Sequence, residues 1–126
     1  MSGYSLDASI LIDALLDHSP AQRELTRIAE SGARMWISRM AWIEVLSKGT
    51  DAVVKDALLF LGRFGLDEID DEISHRAAAL RRQRRGLKSP DAIILATAMV
   101  RGRVLVTRNT KDFPARMPGI RVPYTL

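Results

Sequence analysis

Cysteine is absent from this chain, which excludes disulfides and thiolate zinc sites and fits the reducing cytoplasm, the compartment expected for it. No long apolar run occurs either. The longest stretch of this kind, Ile93 to Val100, falls far short of the ~20 residues needed to cross a bilayer, so no membrane association is expected. The segment from Met1 to Ser5 lacks the basic and apolar regions of a signal peptide, and an acidic residue follows at Asp7. Internal repeats and low-complexity tracts are also missing.

What remains is an ordinary globular balance. With 126 residues, 47% hydrophobic and 27% charged, the expectation is a single domain over residues 1–126 built on one core. A formal charge of +4 and a sequence pI near 10 favour an anionic partner.

Short β-branched runs alternate with longer stretches of helical spacing, an α/β pattern. Strands are expected over Gly3 to Leu6, Arg34 to Ile37, Leu66 to Ile69, Arg103 to Val106 and Ile120 to Val122. The third carries acidic residues and is the least strand-like. A first helix runs from Ala8 to His18 with apolar positions at Ile10, Leu11, Ala14 and Leu15. Pro20 opens a second in its first turn and Gly32 closes it. Ser38 is a good N-cap for a helix to about Gly49, and Asp51 begins another towards Gly65. Asp70 to Gly86 is helical, and Ser89 as N-cap with Pro90 and Asp91 in the first turn starts a helix that stops at Gly102. Strands separated by helices pair in parallel, and in such sheets the functional crevice lies outside their carboxyl ends.

That rule gives meaning to Asp7, Glu44, Asp91 and the pair Asn109 and Asp112. Asp7 directly follows the first strand, and Thr107 to Asn109 directly follow the fourth. Glu44 and Asp91 reach the same edge if their helices pack as neighbours. Oxygen ligands of this kind suit a hard cation, Mg2+ or Mn2+, which lowers the pKa of a water and stabilises charge building on a phosphodiester.

Each position also has a purely structural explanation. Asp7 suits the N-cap of the helix at Ala8, Asp91 complements a helix dipole, and a Glu commonly faces solvent. Those explanations do not account for Glu44 among Met40, Ala41, Trp42, Ile43, Val45 and Leu46. A carboxylate in apolar company is costly unless paired or metal-bound.

Four segments in this order resemble the PIN-domain ribonucleases, specifically VapC-type toxins of bacterial toxin-antitoxin systems: Leu6 to Asp13, Ser38 to Glu44, Ser89 to Ala98, and Thr107 to Phe113. The resemblance spans nearly the whole chain. It implies a PIN-like α/β fold with a central parallel sheet of four to five strands flanked by helices, and Mg2+- or Mn2+-dependent RNA cleavage. It also implies a homodimer and a cognate VapB-like antitoxin. Asp7 and Asp91 match the principal metal-binding aspartates, Glu44 the second acidic position, Ser9 a hydroxyl beside the site, and Thr107 the threonine of the fourth segment. Where relatives often carry Asp, this chain has Asn109, a neutral amide; Asp112 is the candidate replacement charge.

Arg81, Arg82, Arg84 and Arg85 are candidate phosphate contacts, or else complements to the C-terminal end of a helix that starts with Asp70, Asp71 and Glu72. His18 and His75 stand apart from any partner at metal spacing, Ser5 and Ser47 show no nucleophile-elbow pattern, and Trp36 and Trp42 read as core or interface anchors. Two other functions fit less of the chain. One is a phosphoacceptor receiver domain, which needs an acidic pair at the end of the first strand where only Asp7 stands. The other is a PIN scaffold that binds RNA or protein without cutting.

Overall fold

The computed structural model describes residues 3–126. Five short strands form one parallel sheet: β1 (Tyr4–Leu6), β2 (Met35–Ser38), β3 (Gly65–Asp67), β4 (Val104–Val106) and β5 (Ile120–Arg121). Their order across the sheet is β3-β2-β1-β4-β5. The chain runs outward from β1 to β3, then returns to lay β4 on the other side of β1 in the register Leu6↔Val106. The junction of β1 and β4 is therefore the topological switch point, where two connections diverge and leave a crevice.

Six helices flank the sheet: α1 (Ala8–Leu15), α2 (Ser19–Glu30), α3 (Arg39–Leu46), α4 (Asp51–Leu61), α5 (Asp71–Gln83) and α6 (Ser89–Arg101). Their starts follow side-chain chemistry. Ser38 Oγ accepts the Met40 amide at 3.1 Å, and Asp70 Oδ1 accepts that of Ile73 at 2.8 Å, each satisfying a donor that the helix leaves free. Gly102 ends α6 in the left-handed conformation at φ 67°, as a glycine stop predicts.

The main core joins Leu6, Ile10, Leu11, Ile37, Leu105 and Phe113. A smaller cluster of Ile73, Ala77, Leu87, Ala92 and Ala96 seals α5 against α6. None of the described helices is long and apolar enough to cross a membrane.

Several expected boundaries are corrected. The N-cap of α6 is Lys88 rather than Ser89, and Pro90 sits one residue deeper in the first turn; both of these early positions lack an intrahelical acceptor, so the missing N–H costs nothing at either. The third strand is Gly65–Asp67 rather than 66–69, because Asp70 turns outward to cap α5. The first helix stops at Leu15 and not His18, where Asp17 adopts φ 61° in the turn to α2. The helix after Ser38 ends at Leu46, short of Gly49.

Candidate active site

Asp7 occupies the N-cap position of α1, yet its side chain caps nothing. Its Oδ2 instead accepts two hydroxyl hydrogen bonds, from Ser9 and Thr107, both at 2.7 Å. Thr107 Oγ1 in turn accepts the Asn109 backbone N–H at 2.9 Å. With Asp7 and Thr107 both buried, the aspartate is tied across β1 and β4 at the switch point. The structural explanation of Asp7 as a helix cap is thereby replaced.

The crevice at this point is an open cleft of about 440 Å³, lined among others by Asp7, Glu44, Asp91, Asn109, Arg108 and Lys48. α3 brings Glu44 and the start of α6 brings Asp91, so three of the acidic positions share one cavity. Their carboxyls feel one another. Burial first, and then the charges of Asp7 and Asp91, raise the Glu44 carboxyl above its usual range. Burial, then Asp112 and Asp7, push Asp91 up to about 6. Both shifts reflect burial and crowded negative charge, which Lys48 beside Glu44 and Lys88 beside Asp91 offset only in part.

Asn109 and Asp112 form a local clasp. The Asn109 amide nitrogen donates to Asp112 Oδ2 at 3.0 Å, and the Asp112 N–H donates to Asn109 Oδ1 at 3.3 Å. This turns Asp112 against Asp91, whose proton affinity it raises. Among the described residues, no three acidic or histidine side chains are gathered tightly enough to grip an ion directly. The carboxylates instead line the cleft wall.

The arginines at the end of α5 divide. Arg82 and Arg85 are exposed, Arg81 donates to the Leu87 carbonyl at 3.0 Å, and Arg84 reaches the Lys111 carbonyl at 3.5 Å. Arg84 therefore touches the loop that carries Asp112. His75 is exposed and pairs with Asp71, and His18 packs its ring at a tilt against Tyr124 at 5.1 Å; neither lines the cleft.

One group escaped the sequence reading. Asp13, on the buried side of α1, accepts a two-pronged bond from the Arg108 guanidinium and a third from the Tyr124 hydroxyl at 2.7 Å. Its signal was an acidic residue interrupting the apolar stripe of Ile10, Leu11 and Ala14, a placement that needs a partner.

The PIN-domain family model matches residues 4–117. Among solved structures, a chain of a toxin-antitoxin complex from Klebsiella pneumoniae is 36% identical, with a TM-score of 0.86 over 98% of this chain and 100% of that one. DNA-bound VapBC from Salmonella typhimurium aligns at 26% identity and TM-score 0.73, covering 96% of each chain. VapBC2 from Rickettsia felis, bound to a promoter DNA fragment, shares the fold at 23% identity and TM-score 0.77 over 93% of this chain and 94% of that one. No curated protein matches the sequence. The parallel sheet, the tethered aspartate at its switch point and the family match over almost the full length lead to one conclusion: the chain belongs to the PIN-domain family, among its VapC-type members.

Proposed function

We propose that the chain is a divalent-metal-dependent endoribonuclease, the toxin of a VapBC-type pair that acts in the cytoplasm. The observation that carries this reading is the gathering of Asp7, Glu44 and Asp91 on one cleft at the switch point, with the proton affinities of Glu44 and Asp91 raised by burial and then by neighbouring charge. Crowded carboxylate oxygens are a donor set that fits a hard cation. Their spacing along the wall suits Mg2+ or Mn2+ retaining much of its water, since Mg2+ commonly takes only one or two carboxylates beside substrate phosphate.

Asp7, Asp91 and Glu44 would hold the ion, which when bound supplies a Lewis acid for water and phosphate. Ser9 and Thr107 fix the Asp7 carboxylate so that its unengaged oxygen faces the cleft in one orientation. Glu44, lining the same cleft, accepts a proton from the attacking water. The water oxygen bonds to phosphorus, the bond to the leaving nucleotide oxygen breaks, and that oxygen takes a proton from solvent. Purified protein should cut structured RNA when Mn2+ is added and stop when it is chelated. RNA binding without any metal-dependent cleavage would favour the scaffold reading instead.

Asp112 rather than Asn109 supplies the fourth charge, acting through its position against Asp91. Asp112→Ala should weaken Mn2+ affinity about tenfold in calorimetric titration, and Asn109→Ala less, because the amide only aims the carboxylate. An equal and negligible effect of both places Asp112 outside the metal's surroundings.

Arg82, Arg84 and Arg85, with Arg81 beside them, extend a basic track from the loop of Asp112 and give RNA a path away from the cleft. The partners are RNA, a VapB-like antitoxin and a second copy of the chain. The antitoxin is supported by the toxin-antitoxin and VapBC neighbours.

A further inference from the structure

We propose that Arg108 is a phosphate-binding residue of the cleft, and that Asp13 and Tyr124 are positioning residues that hold its guanidinium from behind. The proposal deepens the nuclease reading and rests on it. Among the described residues, five other arginines that pair with carboxylates differ from this one. Arg27 and Arg121 clasp Glu24, which lines a different cavity, Arg103 is sunk against Trp36, and Arg39 and Arg101 pair with Glu68 and Asp70 near β3. Arg108 alone among these lines the cavity of Asp7, Glu44 and Asp91.

The geometry of the fork decides which donors are free. Nε and Nη2 of Arg108 donate to the two oxygens of Asp13, consuming one edge of the planar guanidinium. The opposite edge, with both hydrogens of Nη1 and one of Nη2, stays available to a second oxyanion. Exposure agrees: the Asp13 side chain is 9% exposed and that of Arg108 30%. Asp13 is buried structure, and Arg108 opens to the site.

The anchor is also stiff. Tyr124 donates to the Asp13 oxygen that Nε uses, so Asp13 keeps its orientation with Arg108 bound or displaced. The Arg108 N–H reaches Ser9 Oγ at 3.4 Å, and Ser9 donates to Asp7, so one residue spans the phosphate position and the tether of the first aspartate. A phosphodiester entering a cleft walled by carboxylates meets repulsion. A pre-aimed fork offsets it and stabilises the charge that grows on the non-bridging oxygens during attack. Lys48 lines the same cavity, but it is exposed and forms no side-chain hydrogen bond among the described residues, which makes it the natural control.

The test compares Arg108→Ala, Arg108→Lys, Asp13→Asn, Tyr124→Phe and Lys48→Ala in three measurements. These are cleavage of a structured RNA at saturating Mn2+, Mn2+ affinity by calorimetry, and the salt dependence of RNA binding in chelator. Arg108→Ala should lower kcat/KM by about 10² to 10³-fold, leave Mn2+ affinity within about threefold, and reduce the log–log salt slope by about one. Arg108→Lys keeps an ion pair with Asp13 and hence the fold, yet should restore little of kcat, because an ammonium lacks the fork. Tyr124→Phe and Asp13→Asn should lower kcat more than they raise KM, with the slope unchanged for Tyr124→Phe. Lys48→Ala should cost less than Arg108→Lys.

Wild-type cleavage by Arg108→Lys, or a loss of Mn2+ affinity in Arg108→Ala as large as its loss of activity, overturns the proposal. Were the wild-type chain to cut no RNA, the nuclease reading would fail on its own. The salt slope would still judge Arg108: an unchanged slope in Arg108→Ala ends the phosphate assignment.

Discussion

Asp7→Asn and Asp91→Asn are each expected to reduce Mn2+-dependent RNA cleavage at least about 10²-fold while leaving the fold intact, and Asp91→Asn is expected to raise the stability of the metal-free protein. The sign follows from the raised carboxyl. An aspartate whose pKa moves from the ordinary 3.8 to about 6 on folding binds protons more tightly in the native state, so native stability is greatest below pH 4. It falls as pH climbs towards 6 and stays low above that. Asparagine carries no such charge, so at pH 7 the variant should gain about 1 kcal/mol, a value discounted for the openness of the cleft. Near pH 4 it should match the parent. Wild-type Mn2+ affinity should weaken below pH 6, as protons compete for Asp91. Thermal melts from pH 4 to 8 in chelator, alongside cleavage assays, check both halves. A variant that cuts RNA at the parental rate removes its residue from the site.

Gly65→Ala should destabilise the protein by about 2–3 kcal/mol and lower Tm by about 10 °C. Alanine in a strand ordinarily improves on glycine, and Gly65 opens β3, so the sign depends on packing. Trp36 pairs with Gly65 across β2 and β3, and a Cβ on Gly65 would lie 2.3 Å from the indole. The ring has little freedom to retreat. The Arg103 guanidinium sits 3.9 Å from its centroid and donates to Asp67 at 3.1 Å, with both charged side chains almost wholly buried. Displacing the indole disturbs a buried ion pair, which is expensive to break. In a Trp36→Ala background the same Gly65→Ala change should be neutral or mildly stabilising. Additive effects of the two substitutions would show that the indole is not what glycine accommodates.

The parallel sheet was legible in the sequence because its signals are local: β-branched runs, a proline near one helix start, glycine at its end. Leu66 to Ile69 misled by only a residue or two, since Asp67 faces inward to Arg103 and so reads as solvent-facing without its partner. Within the site, Asp7 and Asp91 stood out at element boundaries, where type and position coincide. The identity of Asp7's partners was not visible, because Ser9 is two residues away and Thr107 a hundred, and only the pairing of β1 with β4 makes them neighbours. The same reason hid Arg108. Its role depends on Asp13 and Tyr124, placed 95 and 16 residues from it. How Asn109 and Asp112 engage each other was equally hidden, because the direction of their clasp is encoded by no pattern.

The hundred-residue gap between Asp7 and Thr107 also bears on when the protein can become active. At a synthesis rate of about 5–20 residues per second, the first aspartate emerges from translation roughly 5 to 20 s before the threonine that orients it. Throughout that interval β1 has no complete β4 beside it, Asp91 is absent for most of it, and Arg108 for all of it. A half-made chain therefore lacks the tether on Asp7 and the far wall of the cleft, so the candidate site comes into being only when β4 closes the sheet.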